Sequence, residues 1–240
     1  MNFAIIVASS RARCGKTLLA RLLAENFVLG GQQAAIFDTD AAEAPLRARF
    51  PGGSLALDVE RVTDQMALFD GLAAEGAYSR IVDLSHLAFK KFFDVMLESE
   101  FVDEARLNAV EPVVFYIPGT DLESFQQAAD LRARLGDCPL IYVENAYLGE
   151  IRLSTRHSED FRSLTDSPLR MLIPALDPHY MSLIEEPDLS LSEFIRDPSV
   201  RMSADTRAAI RSWLVKVLAE IHRVMGTLDQ GRYRLPPAPR

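Results

Sequence analysis

Short apolar runs alternate with longer amphipathic stretches along most of the chain. The runs Phe3–Ala8, Ala34–Asp38, Arg80–Leu84, Val113–Ile117, Leu140–Glu144 and Leu169–Ile173 have strand length, and most are apolar on consecutive residues. Consecutive apolar positions mark strands covered on both faces, as in parallel sheets. Between them, Lys16–Leu29 places Leu18, Leu19, Leu22, Leu23 and Phe27 on one helical face and stops at Gly30-Gly31. Thr63–Ala74, Phe89–Glu98, Leu122–Leu135 and Ala204–Met225 carry the same periodicity. This alternation predicts an α/β fold: right-handed βαβ units in a doubly wound, mostly parallel sheet flanked by helices, forming one domain over residues 1–230. The polar stretch Leu148–Asp166 reads as loop with room for one short helix, and the tail Gly231–Arg240 as flexible.

The first run leads into Ser9-Ser10-Arg11-Ala12-Arg13-Cys14-Gly15-Lys16-Thr17-Leu18. A strand, a loop and a helix opening on Gly-Lys-Thr are the setting of a phosphate-binding P-loop. Main-chain N–H groups at a helix start point at phosphate, and the helix dipole favours its charge. Lys16 is expected against the β and γ phosphates of a bound nucleotide, the Thr17 hydroxyl on Mg²⁺, and Gly15 where the backbone must come close. Ser10 stands where the usual pattern begins with glycine. An ordinary strand-to-helix turn with a surface lysine is the alternative for a bare Gly-Lys-Thr. Two further strands end in Asp38-Thr39-Asp40 and in Asp83-Leu84-Ser85. Carboxylates at the carboxyl ends of strands lie where ligands bind in open α/β sheets, and there they can hold Mg²⁺ or orient an attacking water.

In order and spacing, Ser10–Thr17, Asp38/Asp40 and Asp83 resemble the ParA/MinD-like family of P-loop ATPases, which position plasmids, chromosomes and other cargo. The likeness extends, less specifically, to Tyr116-Ile117-Pro118, Val143-Glu144-Asn145 and Ile173-Pro174. It implies Mg²⁺-dependent ATP binding and slow hydrolysis to ADP, a nucleotide-dependent homodimer, and a protein partner that regulates turnover. By this likeness Ser10, Arg11, Ala12, Arg13, Cys14, Gly15, Lys16, Thr17 and Leu18 cradle the nucleotide. Thr17, Asp38 and Asp83 support Mg²⁺, Asp40 positions the hydrolytic water, and Asn145 and the segment at Pro174 contact adenine. The family's signature lysine, which reaches across an ATP-sandwiched dimer, falls at Arg11. Arginine keeps the charge and adds a fork suited to phosphate oxygens. The two glycines usual after it are Ala12 and Arg13, which narrow the backbone's freedom. Arg13 is either a second phosphate contact or a solvated side chain.

Charge and composition trim the possibilities. Lys and Arg number 26 against 34 Asp and Glu, a formal net charge of -8. An acidic chain is a poor general ligand for nucleic acid, so DNA is a partner that the charge does not favour. Cys14 and Cys138 form no disulfide framework or metal-ligand pattern. No apolar run approaches the ~18 residues of a membrane helix, and Met1-Asn2-Phe3 lacks the basic region of a signal peptide. A cytoplasmic protein without a membrane role is expected. Cys14 is a small loop filler or a thiol activated by the anion site. His86 is a surface residue or a γ-phosphate sensor. The stripe Ile210, Trp213, Leu214, Val217, Leu218, Ile221 and Met225 is core packing or a partner surface. The same scaffold also carries small-molecule kinases and ATP-dependent ligases of the dethiobiotin-synthetase type, for which Leu148–Asp166 could supply a substrate pocket. It also carries non-hydrolysing nucleotide-binding adaptors.

Overall fold

In the computed structural model, which describes residues 2–47, 49–50, 52–76, 78–186, 189–196 and 202–231, the apolar runs become β1 (Asn2–Ala8), β2 (Ala34–Asp38), β4 (Ser79–Asp83), β5 (Val110–Tyr116), β6 (Leu140–Asn145) and β7 (Arg170–Ile173). With β3 (Ser54–Ala56) they form one seven-stranded sheet in the order β3-β2-β4-β1-β5-β6-β7. Every pairing is parallel. The expected α/β architecture is therefore present, with a sheet that is wholly parallel.

Alternation along the strands divides the core in two. Ile5 and Val7 point to a face covered by α1 (Lys16–Leu29), α8 (Pro178–Glu185), α9 (Leu191–Arg196) and α10 (Ala204–Asp229). Ile6 and Ala8 point to the face covered by α2 (Val62–Ala73), α3 (Phe89–Glu98), α4 (Phe101–Leu107), α5 (Leu122–Leu135) and α7 (Glu159–Thr165). Each fully buried Leu, Ile or Phe in these layers contributes about 1.5–3 kcal/mol. The stripe on α10 is core: Ile210, Trp213, Leu214, Val217 and Ile221 are buried in the first layer. At the carboxyl end of α1, Gly31 adopts φ 74° and Gln32 N–H closes on Phe27 O at 2.9 Å, the stop anticipated at Gly30-Gly31.

Several elements depart from expectation. Leu148–Asp166 is not mainly loop: a 3₁₀ turn at Ala146–Leu148, α6 (Leu153–Arg156) and α7 occupy it. The reason is local, since Ser158 Oγ accepts from Phe161 N–H at 3.1 Å and Glu159 and Asp160 sit in the first turn of α7. Strand β3 and helices α4, α8 and α9 were not anticipated, and α10 runs four residues past Met225, to Asp229. Beyond Gly231 the expected flexible tail lies outside the described residues. The edge strand β7 is capped by α10, where Glu220 accepts from Leu172 N–H at 3.2 Å and Arg223 donates to Arg170 O. No helix among the described residues is long and apolar enough to cross a membrane.

Candidate functional site

The turn from β1 to α1 is built at residues 9–15. Arg13 at φ 56° and Gly15 at φ 93° both take the left-handed conformation. At Gly15 a side chain is doubly excluded, because a Cβ would also lie 2.7 Å from Asn145 Nδ2. Arg13 holds the same region despite its side chain, at a cost of about 1–2 kcal/mol. Gly15 brings no capping side chain, so the first N–H groups of α1 point out of the helix start unspent. The turn is braced on two sides. Asn145 Nδ2 donates to Cys14 O at 2.9 Å, and Ser10 Oγ pairs with Tyr116 OH at 2.9 Å, while Tyr116 OH donates to Ser124 O. Lys16 is buried, and its Nζ donates to Arg11 O at 3.0 Å. Burial lowers its pKa, against the opposing pull of Asp83, Cys14 and Asp40.

Arg11 points elsewhere. Its guanidinium binds Asp121 at 2.7 and 3.2 Å and Glu123 at 2.7 Å, at the start of α5. Those hydrogen bonds hold its pKa above the usual arginine value. Neither Ser10 nor Arg11 lines the cavities described next, so the structure does not bring these two side chains to the rest of the set.

Asp38 and Asp83 are register partners on neighbouring strands β2 and β4, which puts both carboxylates at one level of the sheet. Thr17 Oγ1 donates to Asp83 Oδ2 at 2.6 Å. Burial pushes the Asp83 carboxyl up to about 7, with Asp38 and Asp40 adding to the rise and Thr17 and Lys16 opposing it. Asp38 is also raised by burial, opposed by N–H donors from Asp40 at 3.0 Å and Leu46 at 3.2 Å. Both Asp38 oxygens thus shape the segment after β2. Asp40 accepts from Glu43 N–H at 3.3 Å.

Two cavities flank the turn. One, of about 390 Å³, is lined by Arg13, Cys14, Gly15, Lys16, Thr17, Leu18, Asn145, Tyr147, Met181 and Glu185. The other, of about 360 Å³, is lined by Ala12, Arg13, Lys16, Thr17, Asp38, Asp40, Glu43, Pro45, Asp83, Ser85 and His86. They meet at Arg13, Lys16 and Thr17. The first mixes the apolar surface of Cys14, Leu18, Tyr147 and Met181 with the polar groups of Arg13, Lys16, Thr17, Asn145 and Glu185; the second offers oxygen donors, suited to a hard cation. Among the described residues, no group of three or more His, Cys, Asp or Glu is arranged to hold a metal by itself. The donor set fits a magnesium ion that takes its other oxygens from a hydroxyl, water and phosphate.

Most expected site residues therefore converge. Pro174 does not: its carbonyl accepts from Trp213 Nε1 at 2.7 Å, and it lines a separate groove beside β7. Tyr147, Met181 and Glu185 line the larger of the two cavities without having been anticipated. The start of α8 did carry a signal, since Asp177 caps His179 N–H and Pro178 opens the helix. Nothing local, however, tells that α8 folds back beside the β1–α1 turn. No protein-family model matches the chain, and no curated protein matches it.

Proposed function

We propose that the protein is a ParA/MinD-like P-loop ATPase. In this reading it binds ATP with Mg²⁺ at the β1–α1 turn and hydrolyses it slowly to ADP. Nucleotide state controls homodimerisation and the docking of a protein partner that regulates turnover, in the partitioning or positioning of plasmid, chromosome or other cargo in the cytoplasm.

One observation carries it: a cavity with apolar surface from Leu18, Tyr147 and Met181 and an acidic cavity meet at Arg13, Lys16 and Thr17, in front of a helix start without a side-chain cap. A nucleoside triphosphate has the matching order of parts: base, phosphates, metal. Lys16 and the α1 N–H groups neutralise phosphate charge, which an uncapped helix start favours. Lys16 need only exchange its carbonyl partner, Arg11 O, for phosphate oxygen. Thr17 and Asp83, already hydrogen-bonded to each other, supply oxygens on the metal side. Asp38 holds the segment that presents Asp40, and Asp40 orients the attacking water. Arg13 lines both cavities, which favours its reading as a phosphate contact over that of a solvated side chain. Asn145 spends one Nδ2 hydrogen on the turn and retains the other for the base.

A second reading, a small-molecule kinase or ligase, draws on a further cavity of about 240 Å³. It is lined in part by Gly119, Thr120, Leu148, Glu150, Ile151 and Arg156, and it shares Asn145 with the base-side cavity. Product formation with an added metabolite separates the two readings.

The test is isothermal titration of Mg·ATP into the wild type and Lys16→Ala. The variant is expected to lose at least about a hundredfold in affinity, roughly 2.7 kcal/mol. Equal affinity in the two proteins would remove the site assignment.

A further inference from the structure

We infer that Arg49 is a positioning residue for the nucleoside end of the site, acting through the helix that walls it; the inference rests on the nucleotide reading above. Helix α8 contributes Met181 and Glu185 to the 390 Å³ cavity. Its last carbonyls have no partner within the helix, and two guanidinium groups from elsewhere take them. Arg49 Nη1 donates to Glu186 O at 2.8 Å, its Nη2 donates to Glu185 O, and Arg21 Nη1 donates to Ile184 O. A cation at a helix carboxyl end is also favoured by the dipole.

Arg49 comes from the segment that follows β2. Leu46 N–H on Asp38 Oδ2 and Phe50 N–H on Leu46 O, at 3.2 and 3.0 Å, fix that segment to the strand end. Asp40, Glu43 and Pro45 of the same segment line the acidic cavity. A single side chain therefore ties the lining of one cavity to the wall of the other.

The two arginines differ in what their loss does. Arg21 is 2% exposed and paired with buried Glu25, so its removal strands a charge. Arg49 is half-buried, and its removal hands Glu185 O to water and leaves Glu186 O with the N–H of Leu189 alone, at 3.3 Å. The last turn of α8 then loosens, and a bound nucleoside must pay to order it. The phosphate end is held by Lys16 and main-chain groups of α1 and does not share that cost. Lysine, a point donor, cannot serve two diverging carbonyls as a guanidinium fork does.

The experiment is calorimetric titration of Mg·ATP and of Mg·tripolyphosphate into wild type, Arg49→Ala, Arg49→Lys and, as a control on an exposed neighbour, Arg47→Ala. Arg49→Ala is expected to weaken Mg·ATP about tenfold and leave Mg·tripolyphosphate within about twofold. Arg49→Lys should fall between the alanine variant and wild type, and Arg47→Ala should match wild type. Unchanged Mg·ATP affinity in Arg49→Ala overturns the inference, and so does an equal loss for both ligands, which marks general loosening. Should Arg49→Ala fail to fold, the same split between the two ligands read in Arg49→Lys decides. A wild type that binds neither ligand overturns the nucleotide reading itself, whereas one that binds both, with Arg49→Ala unaltered, overturns this inference alone.

Discussion

Helix α1 carries two buried charged clusters that are satisfied in opposite ways. Arg21 and Glu25 form an ion pair at 3.2 Å. Arg21 donates to Ile184 O and Leu189 O, while Glu25 accepts from Leu191 N–H at 3.0 Å and Ser192 N–H at 2.6 Å. Arg21 and Glu25 answer each other's charge and are hydrogen-bonded, and the cluster ties Ile184, Leu189, Leu191 and Ser192 to α1. One turn earlier, Lys16 faces Asp38, Asp40 and Asp83. Lys16 and Arg13 line the acidic cavity with four carboxyl groups, Asp38, Asp40, Glu43 and Asp83, so acid outnumbers base, and burial raises both Asp38 and Asp83. Charge committed to the fold is balanced within the fold. An excess of acid beside a helix start is where a bound cation gains most.

The sharpest way to break this comparison is to remove one acid from each cluster. Glu25→Gln leaves Arg21 buried without its counter-charge and should cost about 3–5 kcal/mol in urea denaturation. Asp83→Asn removes a carboxylate that the fold holds reluctantly, so it should leave stability equal or higher while weakening Mg·ATP by at least about tenfold. Similar destabilisation by both would erase the distinction.

The pH dependence sharpens the same point. A carboxyl held at about 7 in the fold, against the 3.8 of an ordinary aspartate, keeps its proton in the folded chain alone between those values. Folding then favours the protonated form, so the unfolding free energy of the ligand-free protein should fall as pH rises from about 4 to about 7, then level off as far as this group is concerned. Asp38, raised as well, acts in the same direction. Denaturant melts across that range should show the decline, and Asp83→Asn should make it shallower. An identical slope in the variant would assign the dependence to other groups.

The smallest effect is expected at Arg11. Its partners Asp121 and Glu123 are exposed, so the double change Asp121→Asn with Glu123→Gln should alter stability by less than about 1 kcal/mol. In the proposed nucleotide-bound dimer, the bonds it makes there must break before Arg11 can reach the phosphates held by a second copy. Nucleotide-dependent dimerisation, followed by light scattering, should therefore strengthen in the double variant and weaken at wild-type Arg11 in low salt. Dimerisation unmoved by either change would separate Arg11 from the interface.

Much of this arrangement is legible in the sequence. The strands with continuous apolar runs needed only their own residues, and they place Lys16, Thr17, Asp38, Asp40 and Asp83 together because parallel strands share a carboxyl end. Ser54–Ala56 was too short to show a period, and α4 lay hidden behind α3 because only Ser99 and Glu100 part them, with Glu100 at φ 53°. The acidic side of the site is carried by residues near strand ends. The cavity on the other side of the turn is not, since Met181 and Glu185 reach it through packing of α8 that no local pattern encodes. Arg11 was the least readable, because the carboxylates that take its guanidinium lie 110 and 112 positions along the chain.

The most direct measurement is a crystal structure with Mg²⁺ and a non-hydrolysable ATP analogue. The account expects the phosphates against Lys16 and the first N–H groups of α1, the ring beside Asn145 and Met181, and the metal beside Thr17 and Asp83. An analogue bound elsewhere, with the β1–α1 turn filled by its own side chains, would contradict it.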